Sequence, residues 1–169
     1  MKRLKNVMVL VIAIFGFSQI KAQNPDAKIT NTLVVEQSAD DVWAELRKLD
    51  NIDELSSQVA SVKFTGPKGV GGSRVCTSPD GKGKFKENIL AFDDANRSYT
   101  YQVVEGIPAT GVVSNFKVVD LGYKKSMIVW TSTYEKFMKN PQMSEEQFNG
   151  FLNMASNEMI ANVAKMASK

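Results

Sequence analysis

The chain has 169 residues, of which 43% are hydrophobic and 23% are charged, with no histidine and a single cysteine, Cys76. The absence of histidine excludes Ser-His and Cys-His nucleophilic pairs, and it removes the commonest metal ligand and general base. One cysteine excludes an internal disulfide, so stability must come from packing. We therefore expect one domain without a metal or a cofactor.

Residues 1–22 have the layout of a secretory signal peptide. A basic start is followed by the apolar run Val7–Phe17 and then by Ala22, a small residue suited to cleavage. A membrane-spanning helix needs about 20 apolar residues, and this run is much shorter. We expect cleavage after Ala22, a domain over 23–169 with no membrane span, and a periplasmic or extracellular location. The alternative is an uncleaved signal anchor.

The charge of the chain depends on this leader. The whole sequence has 21 basic and 18 acidic residues, and the leader contains four of the basic ones and none of the acidic ones. Residues 23–169 are therefore close to neutral, without the basic surface typical of nucleic-acid binding. No nucleic-acid partner is expected, and a monomer is the default oligomeric state.

Hydrophobic periodicity divides the rest of the chain into strands and helices. A β-branched first segment is followed by Ser38, with Asp41 three residues later, which predicts the start of a helix. Gly, Pro and Asp separate a later series of strands from one another. We predict strands at 30–37, 59–65, 72–78, 83–92, 98–105, 112–120 and 126–136, and helices at 38–49, 52–57 and 145–167.

The clearest turn is the Asp-Gly pair at 80–81, which favours a two-residue type I′ hairpin. Counting outward from this pair places Cys76 opposite Phe85 and Arg74 opposite Glu87. The last two residues would be cross-strand neighbours of opposite charge.

The last helix begins with a capping box, Ser144 and Gln147. One wide apolar face runs along the helix, and it includes Phe148, Leu152 and Met159. A long amphipathic helix after a series of antiparallel strands needs a sheet to cover that face.

The order of one strand, two helices, six strands and a long helix resembles the polyketide cyclase/dehydrase and lipid-transport family of the START-like (Bet v 1-like, SRPBCC) superfamily. The resemblance covers residues 30–166 and rests on Val42-Trp43-Ala44 with Leu46, Gly71-Gly72-Ser73-Arg74, Glu87, Gly106-Ile107-Pro108 and Trp130-Thr131. It implies an α+β helix-grip fold, in which a seven-stranded curved antiparallel sheet wraps around the C-terminal helix and encloses an apolar cavity. Family members often carry an aromatic residue and a proline where this chain has Ser56-Ser57-Gln58, so the resemblance implies no particular ligand.

Arg74 and Glu87 are candidate ligand-binding residues. By strand alternation Glu87 shares a face with Phe85 and Ile89, and a mostly apolar face turns inward. An ion pair beside a cavity can orient a polar ligand group. The alternative is a structural pair that sets the register of the hairpin.

Four aromatic residues are further candidates for the ligand site. Tyr99 and Tyr101 share one face of the fifth strand, and Trp130 and Tyr134 share one face of the seventh. Such side chains combine apolar area with a hydrogen-bonding group, which suits a ligand pocket. The alternative is ordinary core, or an aromatic ladder on the outer face of the sheet.

On the helix side, Phe148, Leu152 and Met159 are predicted to line the cavity. The loop of Gly106, Ile107 and Pro108 is a candidate gate over its mouth. The alternative for this loop is a plain turn between strands.

Two functions of different classes are compatible with these residues. The first is an exported, non-enzymatic carrier or sensor of an apolar small molecule, either lipid-like or aromatic. The second is a cyclase, dehydratase or isomerase, in which Glu87 is the acid/base and Tyr101 or Tyr134 is the oxyanion donor. Geometry separates them, because a Glu87 held tightly by Arg74 stays ionised and is a poor acid.

Overall fold

The computed structural model describes residues 27–139 and 142–169, and the predicted leader at 1–22 lies outside these ranges. The strands are β1 (Ile29–Val35), β2 (Ser61–Thr65), β3 (Ser73–Thr77), β4 (Lys84–Asp93), β5 (Ser98–Glu105), β6 (Ala109–Thr110), β7 (Val112–Gly122), β8 (Lys125–Thr133) and β9 (Lys136–Phe137). The helices are α1 (Ala39–Leu46), α2 (Ile52–Leu55) and α3 (Glu145–Met166).

Seven of the strands form one antiparallel sheet in the order β1-β8-β7-β5-β4-β3-β2. The helix α3 packs on β1 and β8 and against both short helices. The structure therefore has the predicted helix-grip fold, with the C-terminal helix held in the concave face of the sheet.

Both helix caps predicted from the sequence, at Ser38 and Ser144, are confirmed. The Ser38 hydroxyl accepts a hydrogen bond from the Asp41 backbone N–H at 3.2 Å. At the start of α3, Ser144 and Gln147 exchange side-chain and backbone hydrogen bonds of 2.8 and 3.2 Å. These bonds satisfy backbone N–H groups that have no partner inside a helix, and so determine where each helix begins.

The predicted register of the β3–β4 hairpin is confirmed, whereas the predicted turn type is wrong. Cys76 pairs with Phe85 and Arg74 with Glu87. The loop has four residues, 79–82, because Ser78 and Gly83 form the last backbone hydrogen bond, at 2.9 Å. A type I′ turn needs left-handed backbone at both central residues, and only Gly81 has it, with φ 73°. Proline at position 79 explains the difference, since its ring restricts φ to negative values and favours an ordinary turn starting at Ser78.

The last predicted strand, 126–136, is divided in the structure. β8 ends at Thr133, and β9 leaves the main sheet to pair with β6 in a separate two-stranded sheet. The break lies beside Gly111, which has φ 64° and whose Cβ, if present, would overlap the Glu135 side chain. The small sheet was missed because β6 has only two residues and carries no periodic pattern.

The helix α3 buries only one side. Met159, Ile160 and Val163 are buried on that side. The side-chain amide of Asn31 on β1 donates a hydrogen bond to the Ser156 hydroxyl at 2.6 Å. Within residues 27–139 and 142–169, no helix is both long enough and apolar enough to cross a membrane.

Candidate functional site

A cavity of about 90 Å³ lies between α3 and the concave face of the sheet. Its wall is mostly apolar and is formed by inward residues of β3, β4, β5, β7 and β8, by the segment from α2 to β2, and by α3. The residues are Ile52, Ser56, Gln58, Val59, Arg74, Cys76, Phe85, Glu87, Tyr101, Val103, Ile107, Val112, Ser114, Trp130, Phe151, Leu152, Ala155 and Met159.

Seven of the residues singled out from the sequence meet at this cavity. Strand alternation and the confirmed register direct the side chains of β3, β4, β5 and β8 to the same face. The helix contributes through its apolar side. The seven residues are Arg74, Glu87, Tyr101, Ile107, Trp130, Leu152 and Met159.

Arg74 and Glu87 form a buried ion pair in the cavity wall. Arg74 Nε donates to Glu87 Oε2, and Arg74 Nη1 donates to the Leu49 carbonyl at 2.7 Å. Burial is the largest single influence on the pKa of Arg74 and lowers it, but Glu87 together with Tyr99, Tyr101 and Cys76 outweighs burial, so the pKa is raised. Arg74 is therefore a permanent cation, and it faces the side chain of Glu87.

The Leu49 contact was not predicted. Leu49 follows α1 and has φ 66°, which is rare for a side chain of this type. Its side chain is fully buried and its carbonyl accepts the Arg74 hydrogen bond. Nothing in the sequence distinguishes Leu49 from any other residue that ends an amphipathic helix.

Tyr101 and Trp130 are joined by a hydrogen bond on the same wall. Trp130 Nε1 donates to the Tyr101 hydroxyl at 3.1 Å, and the Arg74 guanidinium carbon lies 4.9 Å from the centroid of the Tyr101 ring. Burial, with Glu87 as the next cause, raises the pKa of Tyr101 above its ordinary value. The hydroxyl therefore stays neutral and keeps its proton.

Tyr99 lies outside the cavity, although it shares a face with Tyr101. Its ring packs against Phe116 and Trp43, with centroid distances of 5.4 and 6.4 Å. It is 1% exposed and belongs to the core, which was the alternative considered for this residue.

Tyr134 and Phe148 do not line the cavity; they belong to a second buried cluster with Ala109 and Val112, which adjoins the wall through Val112. The two rings meet edge to face at 5.6 Å, and the Tyr134 hydroxyl lies 2.7 Å from Glu145 Oε1. Because β8 ends at Thr133, Tyr134 no longer continues the alternation that places Trp130 on the cavity wall. The structure thus brings Tyr101, and not Tyr134, close to Glu87.

The predicted gate loop contributes one residue to the wall. Ile107 faces the cavity, whereas Gly106 and Pro108 line a shallow groove on the outside. The Pro108 carbonyl accepts a hydrogen bond from the Met138 N–H at 2.8 Å, and a Cβ at Gly106 would overlap the Lys84 carbonyl oxygen. The loop is therefore tied on both sides, to β4 and to the segment after β9.

The remaining wall residues were not singled out as ligand-binding candidates from the sequence. Phe85 was placed on the inward face of β4 with Glu87, and the predicted register puts Cys76 opposite it. Ser114 could not have been found, since a serine inside a strand has no distinctive pattern; its hydroxyl donates to Ser132 at 2.9 Å. Burial raises the pKa of the Cys76 thiol to about 12, so the thiol is unreactive.

The described part of the chain offers no metal centre. Across 27–139 and 142–169, no three Cys, Asp or Glu side chains come together in a group that could bind a metal ion.

The sequence profile of the family described as polyketide cyclase / dehydrase and lipid transport matches residues 26–166. The chain belongs to this family. No curated protein matches the chain.

Solved structures of similar fold include proteins of several functions. XoxI from Bacillus cereus is 19% identical, with a TM-score of 0.70, and the match covers 81% of this chain and 92% of that one. The Zhui aromatase/cyclase from Streptomyces sp. R1128 is 16% identical, with a TM-score of 0.71 and coverage of 83% and 92%. Norcoclaurine synthase from Thalictrum flavum, solved with dopamine and hydroxybenzaldehyde, is 23% identical, with a TM-score of 0.66 and coverage of 82% and 84%. At these identities, the similarity between this chain and the three solved structures is a similarity of fold alone.

Proposed function

We propose that this protein is an exported, non-enzymatic carrier or sensor that holds an apolar small molecule between α3 and the sheet. The observation that supports it best is the cavity, whose wall is mostly apolar and carries only a few convergent polar groups. This combination is typical of small-molecule binding sites. The family description, which includes lipid transport, agrees with the proposal.

The contact between Arg74 and Glu87 favours binding over catalysis. A general acid or base must be placed to exchange a proton with the substrate, and Glu87 Oε2 is already held by Arg74 Nε. Of the wall residues, Glu87 is the only acid, so no second carboxylate is present to exchange protons with it. The neighbouring enzymes of similar fold do not change this argument, since one fold supports many functions.

The size of the cavity limits the ligand. Sites for drug-sized molecules typically have volumes of about 300–1,000 Å³, and this cavity has about 90 Å³. A single-ring molecule is therefore the natural occupant of the space as it stands. A longer ligand would have to displace half-buried side chains of the wall, such as Phe151 and Leu152.

Export is the second part of the proposal, and it rests on the leader pattern in residues 1–22 alone. Cleavage after Ala22 would leave a near-neutral chain that begins at Gln23. Such a protein would meet its ligand in the periplasm or outside the cell.

The first test is native mass spectrometry of the full-length chain expressed in a bacterium that has a periplasm, followed by denaturation to release any bound molecule. We expect a protein mass that begins at Gln23 and a near-stoichiometric apolar molecule. A mass that begins at Met1 would contradict cleavage of the leader after Ala22. A purified protein that is empty and that binds no single-ring aromatic in titrations would contradict the carrier function, and a bound molecule that the protein converts to a product would establish the enzyme instead.

A further inference from the structure

We propose, as a step that rests on the proposed function, that the cavity selects uncharged molecules with a hydroxyl group and rejects carboxylates. The inference comes from the way the polar atoms of the wall are used. Some of their hydrogen-bonding capacity is taken by the protein, and the remainder faces the cavity.

The ion pair presents its negative end to the ligand. The Arg74 side chain is 1% exposed and the Glu87 side chain 11%. Two nitrogens of Arg74 donate to protein acceptors, Glu87 Oε2 and the Leu49 carbonyl, and its guanidinium lies over the Tyr101 ring. The cation is thus turned into the protein, and the carboxylate into the cavity.

One oxygen of Glu87 is left for the ligand. No hydrogen bond to Glu87 Oε1 is made by any residue of the described chain, 27–139 and 142–169, whereas Oε2 is paired with Arg74. A carboxylate in a largely apolar wall binds strongly to a group that donates a hydrogen bond. It repels another carboxylate, because two like charges in such surroundings disfavour one another.

Tyr101 supplies the complementary group. Its oxygen accepts from Trp130 Nε1, and its own proton has no acceptor among the residues that the structure describes. Since Tyr101 stays neutral, that proton is available to an oxygen of the ligand. Glu87 pairs with Val103 on β5, two residues from Tyr101 on the same face, so the two groups lie close together in the cavity wall.

A hydroxyl group satisfies both residues at once, because it accepts from Tyr101 and donates to Glu87. A hydrocarbon leaves both groups unpaired, and a carboxylate can only accept. Aromatic side chains in the wall, Phe85 and Phe151 with Trp130, favour a ring as the rest of the molecule. The expected ligand class is therefore a phenol or an apolar alcohol.

The test uses three single-ring probes that differ in one substituent: phenol, toluene and benzoate. Titrations at pH 7 by calorimetry or by the fluorescence of the cavity tryptophan give the three affinities. We expect phenol to bind at least about tenfold more tightly than toluene or benzoate, the ratio that one unpaired buried group produces. Toluene equal to phenol, or benzoate equal to phenol, overturns the proposed selectivity while leaving a binding cavity. No binding of any probe overturns the proposed function as well.

Variants then assign the selectivity to the named groups. Tyr101→Phe removes one hydroxyl and should lower the affinity for phenol about tenfold, with toluene unchanged. Tyr123→Phe is the matched control, since Tyr123 is fully exposed at a turn far from the cavity wall. If Tyr101→Phe does not fold, the double variant Arg74→Met/Glu87→Met should remove the preference for phenol over toluene. If the folded variant, whichever of the two it is, still prefers phenol over toluene as the native protein does, then Tyr101 and Glu87 do not determine the selectivity.

Discussion

The concave face of the sheet is packed in two different ways. At what we call the closed end, Trp43 from α1 meets Phe92 and Tyr99, and Tyr99 in turn meets Phe116, with ring centroids 5.4 to 6.4 Å apart. At the cavity end, under the middle of α3, the wall includes Cys76, Ser114 and Ala155, and about 90 Å³ is empty.

The change between the two ends occurs within a few residues. Along β7, the inward residue changes from Phe116 at the closed end to Ser114 at the cavity end. The pairing of β7 with β5 and β8 is regular across these positions, so side-chain size decides whether the space is filled. A cavity in this fold is therefore a property of a few small residues, and each of the following predictions compares the two ends.

The largest effect is expected at Arg74 and Glu87, which lie at the border of the two ends. Glu87→Leu leaves a buried, unpaired guanidinium, and we expect the free energy of unfolding to fall by about 3–5 kcal/mol. The double variant Arg74→Met/Glu87→Met should stay within roughly 1–2 kcal/mol of the native protein, since no charge is left without a partner. Urea unfolding followed by circular dichroism measures both.

The double variant also shows whether the charge or the shape of the Arg74–Glu87 pair stabilises the protein. If it is as unstable as Glu87→Leu, then the shape of the pair, and not its charge, holds the hairpin in place. If the single variant costs less than about 1 kcal/mol, water reaches Arg74 and the cavity end is wetter than the structure indicates.

The same substitution at each end gives the next comparison. Phe116→Ala removes a fully buried ring from the closed end and should cost about 3–5 kcal/mol of stability. Phe151→Ala removes a half-buried ring from the cavity wall and should cost less than half of that, because part of its surface already faces open space. Equal costs, measured by urea unfolding of both variants, would show that the cavity end is packed as tightly as the closed end.

Much of this arrangement could be predicted from sequence, and the reasons are local. Caps at Ser38 and Ser144 act over three residues, so their patterns determine where the helices begin. The pairing of Arg74 with Glu87 followed from counting outward from the Asp80-Gly81 pair, and it survived the wrong turn type because a four-residue loop centred at the same point preserves the count.

The cavity itself could not be predicted in detail, because it depends on contacts between elements distant in sequence. Tyr99 and Tyr101 look equivalent by alternation, and only the position of α1 above Tyr99 makes one of them core and the other part of the cavity wall. Tyr134 failed as a candidate because β8 ends one residue earlier. Small residues such as Ser114 and Ala155 give no sequence signal, although they create the space.

Replacing an alanine with leucine, once in the cavity wall and once in α1, tests whether only the cavity end has room for extra side-chain volume. Ala155→Leu adds bulk beside the cavity, so we expect phenol binding to fall at least about tenfold and stability to change by less than about 1 kcal/mol. Ala39→Leu makes the same change in α1, where the residue is 2% exposed. Overpacking there should cost about 1–3 kcal/mol and leave phenol binding unchanged. Similar losses of stability in both variants would contradict the difference between the ends.

The smallest expected effect is a loss of stability at alkaline pH, and measuring it tests whether the cavity end excludes water. The thiol of an unfolded chain ionises near pH 8.5, whereas burial raises the pKa of Cys76 in the folded protein to about 12. Between these values the folded state binds more protons than the unfolded state, so the free energy of unfolding falls as the pH rises. The expected loss is about 1 kcal/mol between pH 9 and 10. Cys76→Ala is the control, because it lacks this component while every tyrosine and lysine still titrates. The contrary outcome is that native and variant proteins lose stability in parallel and that the native thiol reacts with a disulfide reagent at pH 8. Water would then enter beside Cys76, and the cavity end would differ from the closed end in hydration as well as in packing.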